Sequence, residues 1–233
     1  MSTLNIKNRY TDLIHQTFFF PRHGFEVVDK QLHFQGVNLI ELIENYGTPL
    51  KFTYLPKIGS QIQIARDLFA RAFEKYDYQA NYNYCYCTKS SHFSFVIKEV
   101  LKNGVDLETS SAFDLEIIKK LNTSGHFNKQ QFVICNGYKT PQYAQNIADL
   151  VNAGFQNLIC VLDNPEEFDL INQNTTNPTQ LGIRIATEEE PNFLVYTSRL
   201  GMSYKRIQDL YLNKIQNNPN FKLKMLHFFV NSG

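Results

Sequence analysis

"YCYCTKSSHFSFVIKEVLKNGVDLETSSAFDLEIIKKL", residues 84–121, holds the repeating unit from which the fold can be read. It opens on alternating Tyr and Cys, and a period of two suits a strand. "SFVIKEVLKNG" (94–104) follows; it sets Phe95, Val96, Val100 and Leu101 near one stripe and stops at Gly104, a helix C-terminal signal. "VDLET" (105–109) is a second short apolar run, and "AFDLEIIKKLNTSG" (112–125) is a second amphipathic segment ending in glycine. Strand, helix, strand, helix is the signature of βαβ units and a parallel sheet.

The same rhythm continues downstream. Apolar runs recur at "YNYCYC" (82–87), "VDLET", "FVICNG" (132–137), "LICVLD" (158–163), "LGIRIAT" (181–187) and "LKMLHFFV" (223–230). Helix-like segments fill the gaps at 140–154, 165–174 and 203–218, the first opening on Thr140 and Pro141 as cap and first-turn residue. The first five runs begin 23 to 27 residues apart, and the last gap is longer. Upstream, "FEVVDKQLHFQGVNLIELIENYGTPLKFTYL" (25–55) reads as a strand pair, a helix, a "YGTPL" turn and another strand, followed by a helix over 58–76. The division expected is an N-terminal β-containing extension over 1–79 and a βα array over 80–233.

Bulk properties exclude several classes. Among 233 residues, Lys and Arg (23) nearly balance Asp and Glu (22), so charge gives no argument for nucleic acid or an anionic membrane. No apolar run approaches the roughly 18 residues of a membrane span. The first twenty residues lack the pattern of a signal peptide, and the location expected is the cytoplasm. Cys85, Cys87, Cys135 and Cys160 lie in apolar runs without zinc-like spacing, and read as buried free thiols.

In a parallel βα array, ligands bind at the carboxyl ends of the strands. Lys89 follows the first strand on the face of Cys85 and Cys87, with Tyr82, Tyr84 and Tyr86 on the other. A partly desolvated lysine there would be nucleophilic and suited to Schiff-base chemistry; a strand-end lysine reaching for water is the alternative. Glu108 follows strand two, and Ser110 and Ser111 suit a loop or a helix cap. Arg184 lies inside an apolar strand and needs a carboxylate or a ligand oxygen. Asn231, Ser232 and Gly233 could hold phosphate oxygens or form a turn. The acids at 188–190 read as a solvated loop, and His227, alternating with Met225 and Phe229, as a satisfied barrel histidine.

Taken in order, these pieces resemble the fold-type III pyridoxal-phosphate decarboxylases of basic amino acids. The opening stretch carries the resemblance, joined by "CNGYKTPQY" (135–143), which is most similar to the biosynthetic arginine decarboxylase branch, and by "LGIRIAT", "LHFFVNSG" and "YGTPLKFTYL". The fold implied is an α/β (β/α)8 TIM-type barrel of the alanine racemase/decarboxylase type, truncated after the sixth strand. The N-terminal extension would pair with a C-terminal β-domain beyond this stretch, making the chain an N-terminal fragment. The cofactor implied is pyridoxal 5'-phosphate, held as an internal aldimine on Lys89, with Glu108 near it, Arg184 by its ring and phenolic oxygen, and Ser232 on the phosphate side. Phe229 stands where the family commonly has a histidine flat against the ring. The activity implied is decarboxylation of a basic amino acid, arginine first, in a homodimer with shared sites. Diaminopimelate decarboxylation or a non-enzymatic cofactor-binding homologue are the alternatives.

Overall fold

The computed structural model describes residues 24–186 and 200–229. These pack as two units divided between Tyr54 and Leu55.

In the first unit, β1 (Phe25–Val28), β2 (Gln31–Phe34) and β3 (Val37–Asn38) form an antiparallel sheet in that order. The β1–β2 hairpin turns on Asp29 and Lys30, both at positive φ, as a tight two-residue turn requires. Asn38 then caps α1 (Leu39–Tyr46), accepting from Ile40 N at 2.9 Å and Glu41 N at 3.3 Å. The strand expected after "YGTPL" is not formed. Residues 50–54 pair with no strand, and Phe52 and Tyr54 instead set their rings against Phe34, with centroids 5.7 and 5.4 Å away. Aromatic packing holds this segment where sequence pattern suggested a ladder.

The second unit begins with α2 (Pro56–Tyr76). Its Ile62 packs with Val96, Val100 and Val105, which is why α2 belongs with the βα array although the boundary read from sequence fell after it. Six parallel strands follow: β4 (Cys85–Cys87), β5 (Asp106–Thr109), β6 (Val133–Cys135), β7 (Leu158–Leu162), β8 (Thr179–Arg184) and β9 (Phe221–His227). Between them run α3 (Ser94–Leu101), α4 (Ala112–Thr123), α5 (Pro141–Asn152), α6 (Glu166–Asn174) and α7 (Tyr204–Leu210), the last extended by a π-turn over Tyr211–Ile215.

Each strand pairs with its predecessor in the chain and the order never reverses. Right-handed crossovers advancing in one direction put every helix on the same face. A doubly wound sheet would reverse and cover both faces. Successive parallel βα units of this kind are six staves of an α/β barrel.

The two faces differ as the period of two predicts. Leu107, Val133, Cys135, Leu158, Cys160, Leu162, Leu181 and Ile183 point to the helices, packing with Leu115, Ile118, Tyr143 and Ile147. Full burial of such a side chain contributes about 1.5–3 kcal/mol. The opposite face carries Cys85, Ile134, Ile159, Val161 and Met225. Gly182 in β8 belongs to this face: a Cβ there would stand 3.0 Å from Val161 Cγ2 and 3.4 Å from Met225 Cβ. An irregularity between Leu181 and Gly182 in the pairing with β9 switches phase, so that Leu223 faces the helices while Met225 faces inward. Tyr84 and Tyr86 pack on the helix side and Cys85 on the inner face, as expected. The thiols are all free; Cys135 and Cys160 are fully buried, Cys85 and Cys87 partly. Burial pushes Cys135 up to about 12 and Cys160 up to about 11, leaving both unreactive.

Candidate functional site

The inner face ends, at the carboxyl side of the strands, in a polar cluster. Cys87 pairs with Glu108, Glu108 with Ile134, and Arg184 with His227 in the strand register. Asn136, one residue past β6, donates through Nδ2 to Glu108 Oε1 at 2.9 Å and lies 3.5 Å from His227 Nε2. Asp163, one residue past β7, is buried and sits with Oδ1 3.7 Å from Arg184 Nη1. Five side chains from five strand ends thus meet: Glu108, Asn136, Asp163, Arg184 and His227. The carboxylate that Arg184 required is Asp163.

Four atoms of this cluster are buried without a hydrogen-bond partner: Asn136 Oδ1, both carboxylate oxygens of Asp163, and His227 Nδ1. Unpaired buried polar atoms are costly, so their convergence on one end of the sheet marks a place that a polar ligand completes. The His227 pKa is lowered, first by burial and then by the Arg184 charge, which keeps the ring neutral near physiological pH. Three of the four unpaired atoms are oxygen acceptors, so they suit donor groups of a ligand such as a protonated ring or amine nitrogen, while the Arg184 guanidinium suits an ionised oxygen.

The positions read from sequence fare unevenly. Glu108 and Arg184 enter the cluster. Lys89 follows β4 in the turn that starts where Thr88 N and Oγ1 both donate to the Glu108 carbonyl, at 2.9 and 3.1 Å. That anchors Lys89 two residues past the cross-strand neighbour of Glu108, but its side chain is exposed rather than partly desolvated. The turn lifts it beyond the last ladder bond of a strand that, among the described residues, is a sheet edge. Phe229 lies two residues past β9 and is 49% exposed, outside the cluster. Ser232 and the acids at 188–190 lie outside the described residues. Ser110 and Ser111 serve the fold: Ser110 N donates to Asp114 Oδ2 at 2.9 Å and the Ser111 hydroxyl to the same oxygen at 3.1 Å.

The sequence reads His227 as satisfied; its Nε2 meets Asn136, and its Nδ1 is buried without a partner. Asn136 and Asp163 were missed outright. The rule that picked out Glu108 would have found both, since each is the first polar residue after an apolar strand. Among the described residues, no group of three His, Cys, Asp or Glu is placed to hold a metal ion, and no helix is long and apolar enough to cross a membrane.

The chain is 29% identical over 142 residues to the biosynthetic arginine decarboxylase of Thermosynechococcus vestitus, a match over 57% of this chain and 21% of that relative. Its fold is similar to that of diaminopimelate decarboxylase from M. jannaschii in complex with L-lysine, with a TM-score of 0.69 at 18% identity over 89% of this chain and 48% of the other. The biosynthetic arginine decarboxylase of Campylobacter jejuni gives a TM-score of 0.64 at 17% identity, over 88% of this chain and 36% of that one. The chain therefore spans less than half the length of each of these proteins. Residues 61–233 match the family described as pyridoxal-dependent decarboxylase, pyridoxal binding domain. That match takes in the whole six-stranded array, and the chain belongs to this family.

Proposed function

We propose that this chain supplies the pyridoxal 5'-phosphate-binding part of a decarboxylase for a basic amino acid, with arginine as substrate. The observation that carries the reading is the group of unpaired buried atoms on Asn136, Asp163 and His227 beside Arg184, at the strand ends where βα barrels bind ligands. Arginine is favoured by the sequence relatives, which bear that activity in their names. Diaminopimelate is the second reading, favoured by fold similarity to its decarboxylase.

In this reading Lys89 is the amine that holds the cofactor's aldehyde. Its exposure leaves the amine open to an incoming ligand. Arg184, its charge partly balanced by Asp163 at 3.7 Å, would hold the ring's oxygen. Glu108 fixes the Asn136 amide, which leaves Asn136 Oδ1 free as an acceptor. His227, kept neutral, has Nδ1 without a partner and would offer it to the ligand. Phe229 would give the ring an apolar face, and Ser232 a hydroxyl for the phosphate. The bound cofactor supplies an electron sink for the carbon that loses carbon dioxide. The homodimer with shared sites implied by the resemblance completes the proposal.

The test is direct. With pyridoxal phosphate bound, borohydride reduction and peptide mapping should place a pyridoxyl group on Lys89, and Lys89→Ala should abolish it. Release of labelled carbon dioxide from arginine, and not from diaminopimelate, then fixes the substrate. Release from diaminopimelate alone would replace arginine, and no release from either would leave a cofactor-binding protein without this activity.

A further inference from the structure

Behind the cluster lies a second charged pair that none of the roles above uses. Lys139 is 1% exposed and Glu167 3%, and their charged atoms stand 3.8 Å apart. The Lys139 ammonium donates to the Gly137 carbonyl at 2.5 Å and to the Val161 carbonyl, and lies over the Tyr143 ring at 5.6 Å. Glu167 takes the Lys139 backbone N–H at 2.9 Å through Oε1 and the Asp163 backbone N–H at 2.8 Å through Oε2. Every one of these bonds falls on the two strand exits that carry three of the four unpaired site atoms. Gly137 is the neighbour of Asn136, and Val161 and Asp163 bracket the end of β7.

A buried ion pair is weak support for stability, because apolar side chains of similar volume often replace it without loss. Here the pair joins two loops that must hold Asn136 and Asp163 in one geometry. The loop of β6 is also forced close to its other neighbour: Gly137 has φ +80°, and a Cβ there would stand 2.7 Å from the Ser110 carbonyl oxygen. Tyr143 adds a further tie, its hydroxyl donating to the Asn136 carbonyl at 3.0 Å.

We infer that Lys139 and Glu167 are positioning residues for the cofactor site, which set Asn136 and Asp163 from behind and touch no ligand themselves. The inference rests on the cofactor-binding reading above.

The experiment separates position from stability in the natural full-length protein. Lys139→Met leaves Glu167 unpaired and should lose both stability and pyridoxal phosphate affinity. Lys139→Met/Glu167→Gln removes both charges and keeps an acceptor for one of the backbone N–H groups that Glu167 holds; its melting temperature should rise above that of Lys139→Met while affinity stays about tenfold or more weaker than the parent's. Glu167→Gln, which keeps shape and removes charge, gives a second reading should the double variant fail to fold: weakened affinity with a parent-like circular dichroism spectrum is expected. Affinity that recovers along with stability in the double variant, or a Glu167→Gln protein that binds as the parent does, overturns the inference and makes the pair purely structural. A parent protein that binds no pyridoxal phosphate overturns the functional reading first, and this inference with it.

Discussion

The middle strands and the edge strands of the sheet end in opposite ways. At the exits of β6 and β7 the turns are pinned: Lys139 and Glu167 are buried against four backbone groups, which adjoin Asn136 and include the N–H of Asp163. At the exits of β4 and β9, Lys89 and Phe229 are exposed. The residues that a family resemblance singles out are thus split. Glu108 and Arg184 join the pinned cluster, whose Asn136, Asp163, Lys139 and Glu167 that resemblance gave no role, while Lys89 and Phe229, which it also named, lie on the open edges. A binding site needs both: a frame that fixes ligand orientation, and a reactive group with room to exchange partners.

The largest effect should come from breaking the frame. Lys139→Met leaves a carboxylate buried without its partner and should destabilise the protein by about 3–5 kcal/mol in denaturant unfolding. Next, Leu107→Ala removes a fully buried side chain from the helix-covered face and should cost about 2–5 kcal/mol, whereas Leu226→Ala on β9, where the side chain is 56% exposed, should change stability by less than about 0.5 kcal/mol. Equal losses at the two positions would erase the contrast between middle and edge. Gly137→Ala adds a methyl where φ is +80° and the Ser110 carbonyl is in the way, and should cost about 1–3 kcal/mol. Lys89→Ala should leave the unfolding curve within about 0.5 kcal/mol of the parent while removing covalent cofactor attachment.

The smallest effect is a pH slope. The folded His227 pKa is lowered from 6.5, so the unfolded chain takes up a proton before the folded one does. Stability should therefore be fully present above the unfolded value and fall as pH drops through it toward the folded one. His227→Gln should flatten that part of the stability profile. A slope unchanged in the variant would assign it to another group.

Much of the array was legible because each strand repeats a local rule. The alternation of Tyr and Cys at 82–87 correctly divided the faces of β4, and the glycines at 104, 125 and 154 correctly closed three helical segments. The site was less legible because it is made by convergence. Asn136 and Asp163 look like ordinary residues after a strand until β6, β7 and β8 are laid side by side. Lys139 looks like a surface lysine in "CNGYK", and only the fold shows its ammonium enclosed. His227 faces inward because the phase of β9 shifts at an irregularity no alternation pattern announces. The segment at 50–54 misled for the opposite reason: its residues favour a strand, but aromatic contacts with Phe34 took the place of a partner ladder.

The central claim is that Lys89 and the framed cluster form one cofactor site. Borohydride reduction in the presence of pyridoxal phosphate, followed by peptide mass mapping of the parent protein and an Arg184→Ala variant, tests it most directly. The account predicts a single pyridoxyl group on Lys89 in the parent, with the yield sharply reduced when Arg184 is removed. Label spread over surface lysines, or a Lys89 yield indifferent to Arg184, would contradict it.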